Sequence, residues 1–126
     1  MVRIYIIIYS NYECISYYPN GKIYQKYTLL NYISHYTNGK LFLNCNYHDG
    51  KLHDKCISYH RNGKILYEHD YYRGRKQGNF IEYHFKRNVR VKTYYLNGEM
   101  HGKYISYHLN GNIITECNYE HGVKID

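Results

Sequence analysis

Alanine and tryptophan do not occur among the 126 residues, and proline occurs once. Tyrosine is the most frequent residue, with 20 copies. Tyrosine and β-branched side chains such as isoleucine favour strands over helices. The composition therefore predicts an all-β chain, whose length corresponds to about one domain.

Long apolar segments are also missing. The apolar run from Ile4 to Tyr9 is too short to span a bilayer or to form the core of a signal peptide, and no small-residue cleavage site follows it. We expect a β-strand there, so residues 1–12 are assigned to an N-terminal strand and flank. No transmembrane segment is predicted.

Pairs of turn residues recur every 24 residues. One set comprises Asp49-Gly50, Arg73-Gly74, Asn97-Gly98 and His121-Gly122, and a second comprises Asn38-Gly39, Asn62-Gly63 and Asn110-Gly111. In the second set, Lys86-Arg87 stands where the missing copy is expected. Such self-similarity indicates a repeat protein, in which function usually lies on an extended surface.

Each repeat contains two short strands separated by turns. Asn62-Gly63 lies between β-forming residues, which predicts a hairpin with a type I′ turn because both residues tolerate positive φ. Residues 13–126 divide into five units, of which the first is shortened, the fourth lacks its turn glycine and the last is truncated. The predicted fold is an elongated, single-layer antiparallel meander of ten or so strands, with Ile113 to Tyr119 as an open edge.

Two-residue alternation predicts an apolar face and a polar face. The apolar face is expected to hold Ile57, Tyr59, Ile65, Tyr67, Tyr71 and their equivalents in other units. The polar face is expected to hold Ser58, His60, Glu68, Asp70 and their equivalents. A single sheet has no second layer, so we expect a partner protein or a second copy to cover the apolar face. The predicted partner-binding residues are Tyr59, Tyr71, Tyr83, Tyr95, Tyr107 and Tyr119.

Several polar residues resemble reactive sites but follow the repeat. Ser16, Ser34, Ser58 and Ser106 share one repeat position, which argues against a nucleophile. His60, His84 and His108 lie on alternate strands, about 9.6 Å apart, which is too far to share a zinc ion. The sequence has no phosphate-binding glycine loop and no paired carboxylate motif. We therefore predict no catalytic residues, no metal site and no cofactor.

The four cysteines form no CxxC pair and have no metal-ligand spacing. Cys45 and Cys117 occupy one repeat position three units apart, and six strands separate them by about 29 Å. That distance excludes a disulfide between them. We expect reduced thiols in a cytosol-like compartment.

The chain resembles a MORN-repeat protein of the short-motif variant found in bacteria and large DNA viruses. Tyr17-Tyr18-Pro19-Asn20-Gly21-Lys22 matches the first part of that motif, and the stretch from Tyr95 to Lys103 matches the second part. The resemblance implies a twisted sheet of hairpins, a scaffolding role, and in some members phospholipid binding. It implies no catalytic residues. We expect a cytoplasmic protein, or one in the host cytoplasm if the source is viral, with peripheral membrane attachment as an alternative.

The net charge of +7 favours acidic partners. A basic cluster is expected to contact an anionic surface, and it comprises Arg73, Arg75, Lys76, Lys86, Arg87, Arg90 and Lys92. Acidic phospholipid is therefore the alternative to a protein partner. Nucleic-acid binding is not favoured, because the tyrosines recur where the sheet needs packing.

Overall fold

A computed structural model of the chain describes residues 13–126 in full and the backbone of residues 8–10. The described residues contain no helix and form one antiparallel sheet of 13 strands. The strands are β1 Ile8–Ser10, β2 Glu13–Tyr17, β3 Ile23–Tyr27, β4 Asn31–His35, β5 Leu41–His48, β6 Lys51–Tyr59, β7 Ile65–Tyr72, β8 Arg75–Tyr83, β9 Val89–Leu96, β10 Glu99–Met100, β11 Gly102–Tyr107, β12 Ile113–Glu120 and β13 Val123–Lys124. The predicted N-terminal strand and flank lie outside the described residues, apart from β1.

Strands that follow one another in sequence pair with one another throughout the sheet. The only departure among the described strands is β10, which pairs with β9 alone, while β11 continues the sheet beside β9. This arrangement confirms the predicted meander of stacked hairpins. The division of residues 13–126 into five units stays a prediction.

One row of turns lies at one end of the strands, and we name it the first turn row. It contains residues 18–22, 36–40, 60–64, 84–88 and 108–112. In the third of these turns, the Gly63 amide donates to the carbonyl of His60 at 2.9 Å, and Gly63 has φ +89°. Asn62 is not among the residues with positive φ, so the predicted type I′ turn is wrong. The geometry is that of a type I turn followed by a left-handed residue, which makes a bulge.

The fourth turn of this row keeps the same geometry without a glycine. The Arg87 amide donates to the carbonyl of His84 at 2.9 Å, and Arg87 has φ +77°. A side chain in the left-handed region is strained by roughly 1–2 kcal/mol, because Cβ approaches the following carbonyl oxygen. The neighbouring strands therefore hold the fourth hairpin in shape at the expense of strain at Arg87.

The second turn row lies at the opposite end of the strands, and four of its turns are of type I′, at Asp49-Gly50, Arg73-Gly74, Asn97-Gly98 and His121-Gly122. Arg73 and Gly74 both have positive φ, at +48° and +83°, and Tyr72 pairs directly with Arg75 across them. A bulge lies further along β8, at the second glycine of the motif, Gly78, with φ +106°. The turn itself is a tight two-residue connection.

Strand register corrects the predicted faces. Ile57 lies opposite Glu68, and Ser58 lies opposite Tyr67. Opposed residues in an antiparallel pair point to the same face, so Ile57 and Tyr67 are on different faces. The reason is the bulge beside the first-row turn, where Tyr59 pairs with Ile65 and Leu66 is the extra residue. That extra residue reverses the alternation that we read across the turn.

We name the two faces after their repeating residues. The isoleucine face holds Ile15, Ile33, Ile57, Ile81 and Ile105, and the serine face holds Ser16, Ser34, Ser58 and Ser106.

The core lies on the serine face. Ser58 is only 2% exposed, and Cys56, Thr93 and Cys117 are also buried on this side of the sheet. The predicted polar face is therefore wrong, because Ser58 lies on the buried face whereas Glu68 and Asp70 lie on the isoleucine face. Small residues leave room for rings to lie over the sheet, and the His69 ring packs 4.1 Å from the ring of Phe80, measured between centroids.

Two cysteines face each other across neighbouring strands. Cys45 in β5 lies opposite Cys56 in β6, with Cα atoms 4.1 Å apart, and a disulfide joins them. Cys14 and Cys117 are free. The expectation of four reduced thiols is therefore wrong for this pair, because we excluded only the pairing of Cys45 with Cys117.

The outer edge of β12 is partly covered. β13 pairs only with Tyr119 and Glu120, and the side chains of Ile113 and Ile114 are 51% and 56% exposed. The backbone of Asn118 is also bonded, to Ile125 and Asp126, so among the described residues the predicted open edge begins at Ile113 and ends before Asn118.

Candidate interaction surfaces

Three of the six predicted tyrosines lie on the isoleucine face. Tyr59, Tyr83 and Tyr107 each follow an isoleucine by two residues along a strand, so they project to the same side. Burial and the nearby Glu68 carboxylate raise the pKa of Tyr83. The phenol therefore stays neutral at physiological pH and offers an apolar ring with a hydroxyl that can donate a hydrogen bond.

Ion pairs lie among the apolar residues of this face. Lys55 lies 3.7 Å from Glu68 and 3.9 Å from Asp70, and Lys103 lies 3.0 Å from Glu116. These pairs neutralise most of the local charge. The isoleucine face therefore presents aliphatic and tyrosine side chains in a nearly neutral polar frame.

The other three tyrosines, Tyr71, Tyr95 and Tyr119, lie on the serine face. Lys76 Nζ lies 4.9 Å from the ring centroid of Tyr95, and burial raises the pKa of Tyr71 and Tyr95. These rings help to cover the core. The six tyrosines therefore do not form one surface.

The predicted basic cluster is divided between the two ends of the strands. Arg73 and Arg75 lie in the second turn row, whereas Lys86 and Arg87 lie in the first. The nine residues of β8 separate the two groups by roughly 27 Å.

The strand residues of the cluster lie elsewhere again. Lys76 packs on Tyr95 on the serine face, and Lys92 lies opposite Ile81 on the isoleucine face. Arg90 Nε lies 3.4 Å from a carboxylate oxygen of Glu82. The seven basic residues therefore cannot contact one flat surface together.

One position recurs at the start of each first-row turn, and we name these positions the anchor row. The row comprises Tyr18, Tyr36, His60, His84 and His108. The Tyr36 hydroxyl donates to the carbonyl of Tyr59 at 2.6 Å, and His84 Nε2 donates to the carbonyl of Tyr107 at 2.9 Å. His60 Nε2 is buried and has no partner. His60 and His84 are thus half-buried, whereas His108 in the last turn is exposed.

His69 is a half-buried titratable residue that the sequence interpretation missed. Burial and the nearby Lys76 ammonium lower the pKa of His69 from 6.5 to about 4. The imidazole is therefore neutral in the folded protein near neutral pH. Only its position opposite Cys56 and Phe80 in the sheet shows that it belongs to the core.

Acidification is expected to destabilise the protein through His69. The unfolded chain takes up a proton near pH 6.5, whereas the folded chain does so only near pH 4. The free energy of unfolding should therefore decrease as the pH falls between these values. Denaturant titrations from neutral pH to pH 4 would measure it, with His69→Phe as the comparison. The same pH dependence in both proteins would contradict a role for His69.

The recurring serines are mostly buried, and no metal-ligand cluster is present in the part of the chain that the structure describes. Ser16, Ser34 and Ser58 are buried on the serine face. No group of three or more His, Cys, Asp or Glu residues is placed to hold a metal ion among the described residues. None of the described residues belongs to a helix long and apolar enough to cross a bilayer.

Comparison with known families identifies the repeat. A model of the MORN repeat variant matches residues 13–31, 52–72 and 100–121. Comparison with curated proteins gives no match. The matched stretches contain the hairpins β2–β3, β6–β7 and β11–β12, and the hairpins between them have the same strand pairing. The chain therefore belongs to the MORN repeat variant family.

Proposed function

We propose that the chain is a non-enzymatic scaffold whose isoleucine face binds a partner protein, with a second copy of the chain as the simplest such partner. The supporting observation is the asymmetry of burial. Among the described residues, the fully buried side chains of the strands lie on the serine face, while those of the isoleucine face remain partly exposed. Extended surfaces with apolar and tyrosine side chains commonly mark interaction sites.

Family membership supports the same function. MORN repeats are generally scaffolds and are often involved in binding. The cytoplasmic location that we expected rested on reduced cysteines, and the Cys45–Cys56 disulfide removes that argument for one pair. Location therefore stays a prediction to be tested on the native protein.

Loss of two tyrosines is expected to weaken association. Tyr83→Ser with Tyr107→Ser removes two rings from the isoleucine face, and each ring should contribute about 1–2 kcal/mol to binding. Sedimentation velocity would measure self-association, and pull-down from native cells would measure partner capture. The matched control, Leu29→Ser with Leu30→Ser, removes two exposed apolar side chains from a turn. Unchanged association, or an equal loss in the control, would contradict the proposal.

Membrane attachment is the second candidate function, and one observation favours it. Phe85 and Leu109 are 60% and 45% exposed in successive first-row turns, beside Lys86 and Arg87. Apolar side chains next to basic residues suit the boundary between headgroups and acyl chains.

Liposome sedimentation tests membrane attachment. Lys86→Glu with Arg87→Glu should abolish binding to vesicles that contain phosphatidylserine, since each basic residue near an anionic surface contributes about 1 kcal/mol. Arg73→Glu with Arg75→Glu is the matched control at the opposite end of the strands and should retain binding. Binding that depends neither on salt nor on Lys86 and Arg87 would exclude this function.

A further inference from the structure

The first turn row carries positive charge only. Its cations, which we name the basic ridge, are Lys22, Lys40, Arg61, Lys64, Lys86 and Arg87. All ten acidic residues of the chain lie outside the five turns. The other eleven cations of the chain nearly balance those ten acids, so the basic ridge accounts for six of the seven net positive charges.

The charges of the basic ridge are not neutralised within the chain. Lys26, Lys55, Arg90 and Lys103 form ion pairs with carboxylates, and they all lie on the strands. In the part of the chain that the structure describes, no ridge cation lies within 4.0 Å of a carboxylate oxygen. The ridge cations are exposed except for Lys64, which is half-buried.

Contacts between successive turns hold three of these cations, Lys22, Lys40 and Arg61, along the row. Lys22 Nζ donates to the carbonyl of Asn38 at 3.1 Å, and Lys40 Nζ donates to the carbonyl of Asn62 at 3.3 Å. The guanidinium of Arg61 lies 5.2 Å from the ring centroid of Tyr36 in the preceding turn. Because the turns join alternate strands, neighbouring turns lie about 9.6 Å apart.

We propose that the basic ridge binds an extended acidic segment of the partner protein. An extended polypeptide advances about 3.3 Å per residue, so carboxylates at every third residue would recur about every 10 Å and meet one turn each. A depression of about 640 Å³ between the fourth and fifth turns, lined by Lys86, Asn88, His108 and Leu109, offers space for such a chain. This inference rests on the proposed function, because it assigns the chemistry of the protein partner.

Sheet twist favours a flexible chain over a bilayer as the ligand of the whole ridge. Neighbouring strands are rotated by roughly 20–25°, so the six strand steps between the first turn and the fourth, where the ridge ends, amount to roughly 120–150°. A plane can touch only part of such a winding line, whereas an extended peptide can follow it. A bilayer would use only the local site at Phe85 and Leu109.

A fluorescent peptide with glutamate at every third residue tests the proposal by anisotropy. The ridge variant carries Lys22→Gln, Lys40→Gln, Lys64→Gln and Lys86→Gln, and the control variant carries Lys51→Gln, Arg75→Gln, Lys92→Gln and Lys124→Gln. Both variants lose the same charge, and circular dichroism checks the fold. We expect the ridge variant to bind about tenfold more weakly than the unmodified chain, and the control to bind within about threefold. A peptide of equal composition with consecutive glutamates should bind more weakly than the spaced peptide.

Three results would overturn the proposal. Equal losses in the two variants would show attraction by net charge alone, and no binding of the spaced peptide would exclude the ligand. Ridge-dependent binding to phosphatidylserine vesicles without peptide binding would assign the ridge to a membrane. Failure of the proposed function is separate, since it appears as capture that is insensitive to Tyr83→Ser with Tyr107→Ser.

Discussion

Replacement of Ser58 by aspartate is expected to lower the free energy of unfolding by about 3 kcal/mol or more. Ser58 is 2% exposed and lies between Leu43 and Tyr67 of the neighbouring strands. A carboxylate there would lose its hydration and, with no cation opposite, would be left uncompensated. Thermal unfolding followed by circular dichroism would show the effect as a lower melting temperature.

Ser106→Asp is the matched control, because Ser106 occupies the same repeat position but is only half-buried. It should destabilise the protein clearly less than Ser58→Asp. The comparison also distinguishes the two assignments of the faces, since a serine on a solvated face would tolerate aspartate at either position. Equal and small effects would contradict the buried serine face.

Gly63→Val is expected to destabilise the third hairpin by about 2 kcal/mol or more. Gly63 has φ +89°, a conformation that a β-branched side chain resists. Space is not the obstacle, because a Cβ at this position would meet only Lys40 Cδ, at 3.8 Å. Urea unfolding would measure the loss, and Gly63→Asn should lose less because asparagine tolerates this region.

The reverse change tests the same reasoning in the fourth unit. Arg87→Gly should stabilise the chain by about 1 kcal/mol, because it relieves the strain of a side chain at φ +77°. A stabilising Arg87→Gly together with a destabilising Gly63→Val would establish that the two turns share one geometry. A destabilising Arg87→Gly would mean that the Arg87 side chain makes contacts that outweigh its strain.

The turns and the order of strand pairing were predictable from sequence, because glycines and turn pairs recur at constant spacing. Arg73-Gly74 and Asn62-Gly63 mark the two turn rows, and antiparallel meanders join such turns in chain order. Lys86-Arg87 could also be placed in a turn by its spacing. Its left-handed residue follows from the neighbouring hairpins rather than from local preference.

The faces were not predictable, because they depend on a single residue at each bulge. Leu66 has no partner in β6, and this one residue decides whether Ile57 shares a face with Tyr67 or with Glu68. An alternating sequence is compatible with both registers, with and without the bulge. Burial of Ser58 was hidden for the same reason, since a small polar residue looks solvated until its neighbours are known.

The predicted sites differ from the structure for related reasons. Tyr59 and Tyr71 were placed together by alternation, and the bulge separates them. Arg73 and Lys86 are close in sequence, but a whole strand lies between them. The sequence shows that five turns lack acidic residues. Only the fold shows that these turns lie side by side and so form one basic surface.

The hydrogen bonds between first-row turns all run in one direction. The Tyr36 hydroxyl and the Asn38 amide donate to carbonyls of the following unit, those of Tyr59 and Arg61. In these bonds a side chain is the donor and a backbone carbonyl is the acceptor, and every residue has a backbone carbonyl. A following unit can therefore accept such a bond whatever its own sequence. In the part of the chain that the structure describes, the fourth turn receives none from the third, where His60 Nε2 has no partner, and it donates to the fifth through His84 and Asn88. Loss of a donor side chain in one turn should therefore weaken the contact with the following turn and leave the contact with the preceding turn unchanged. The effect of a substitution in this row is thus directional along the chain.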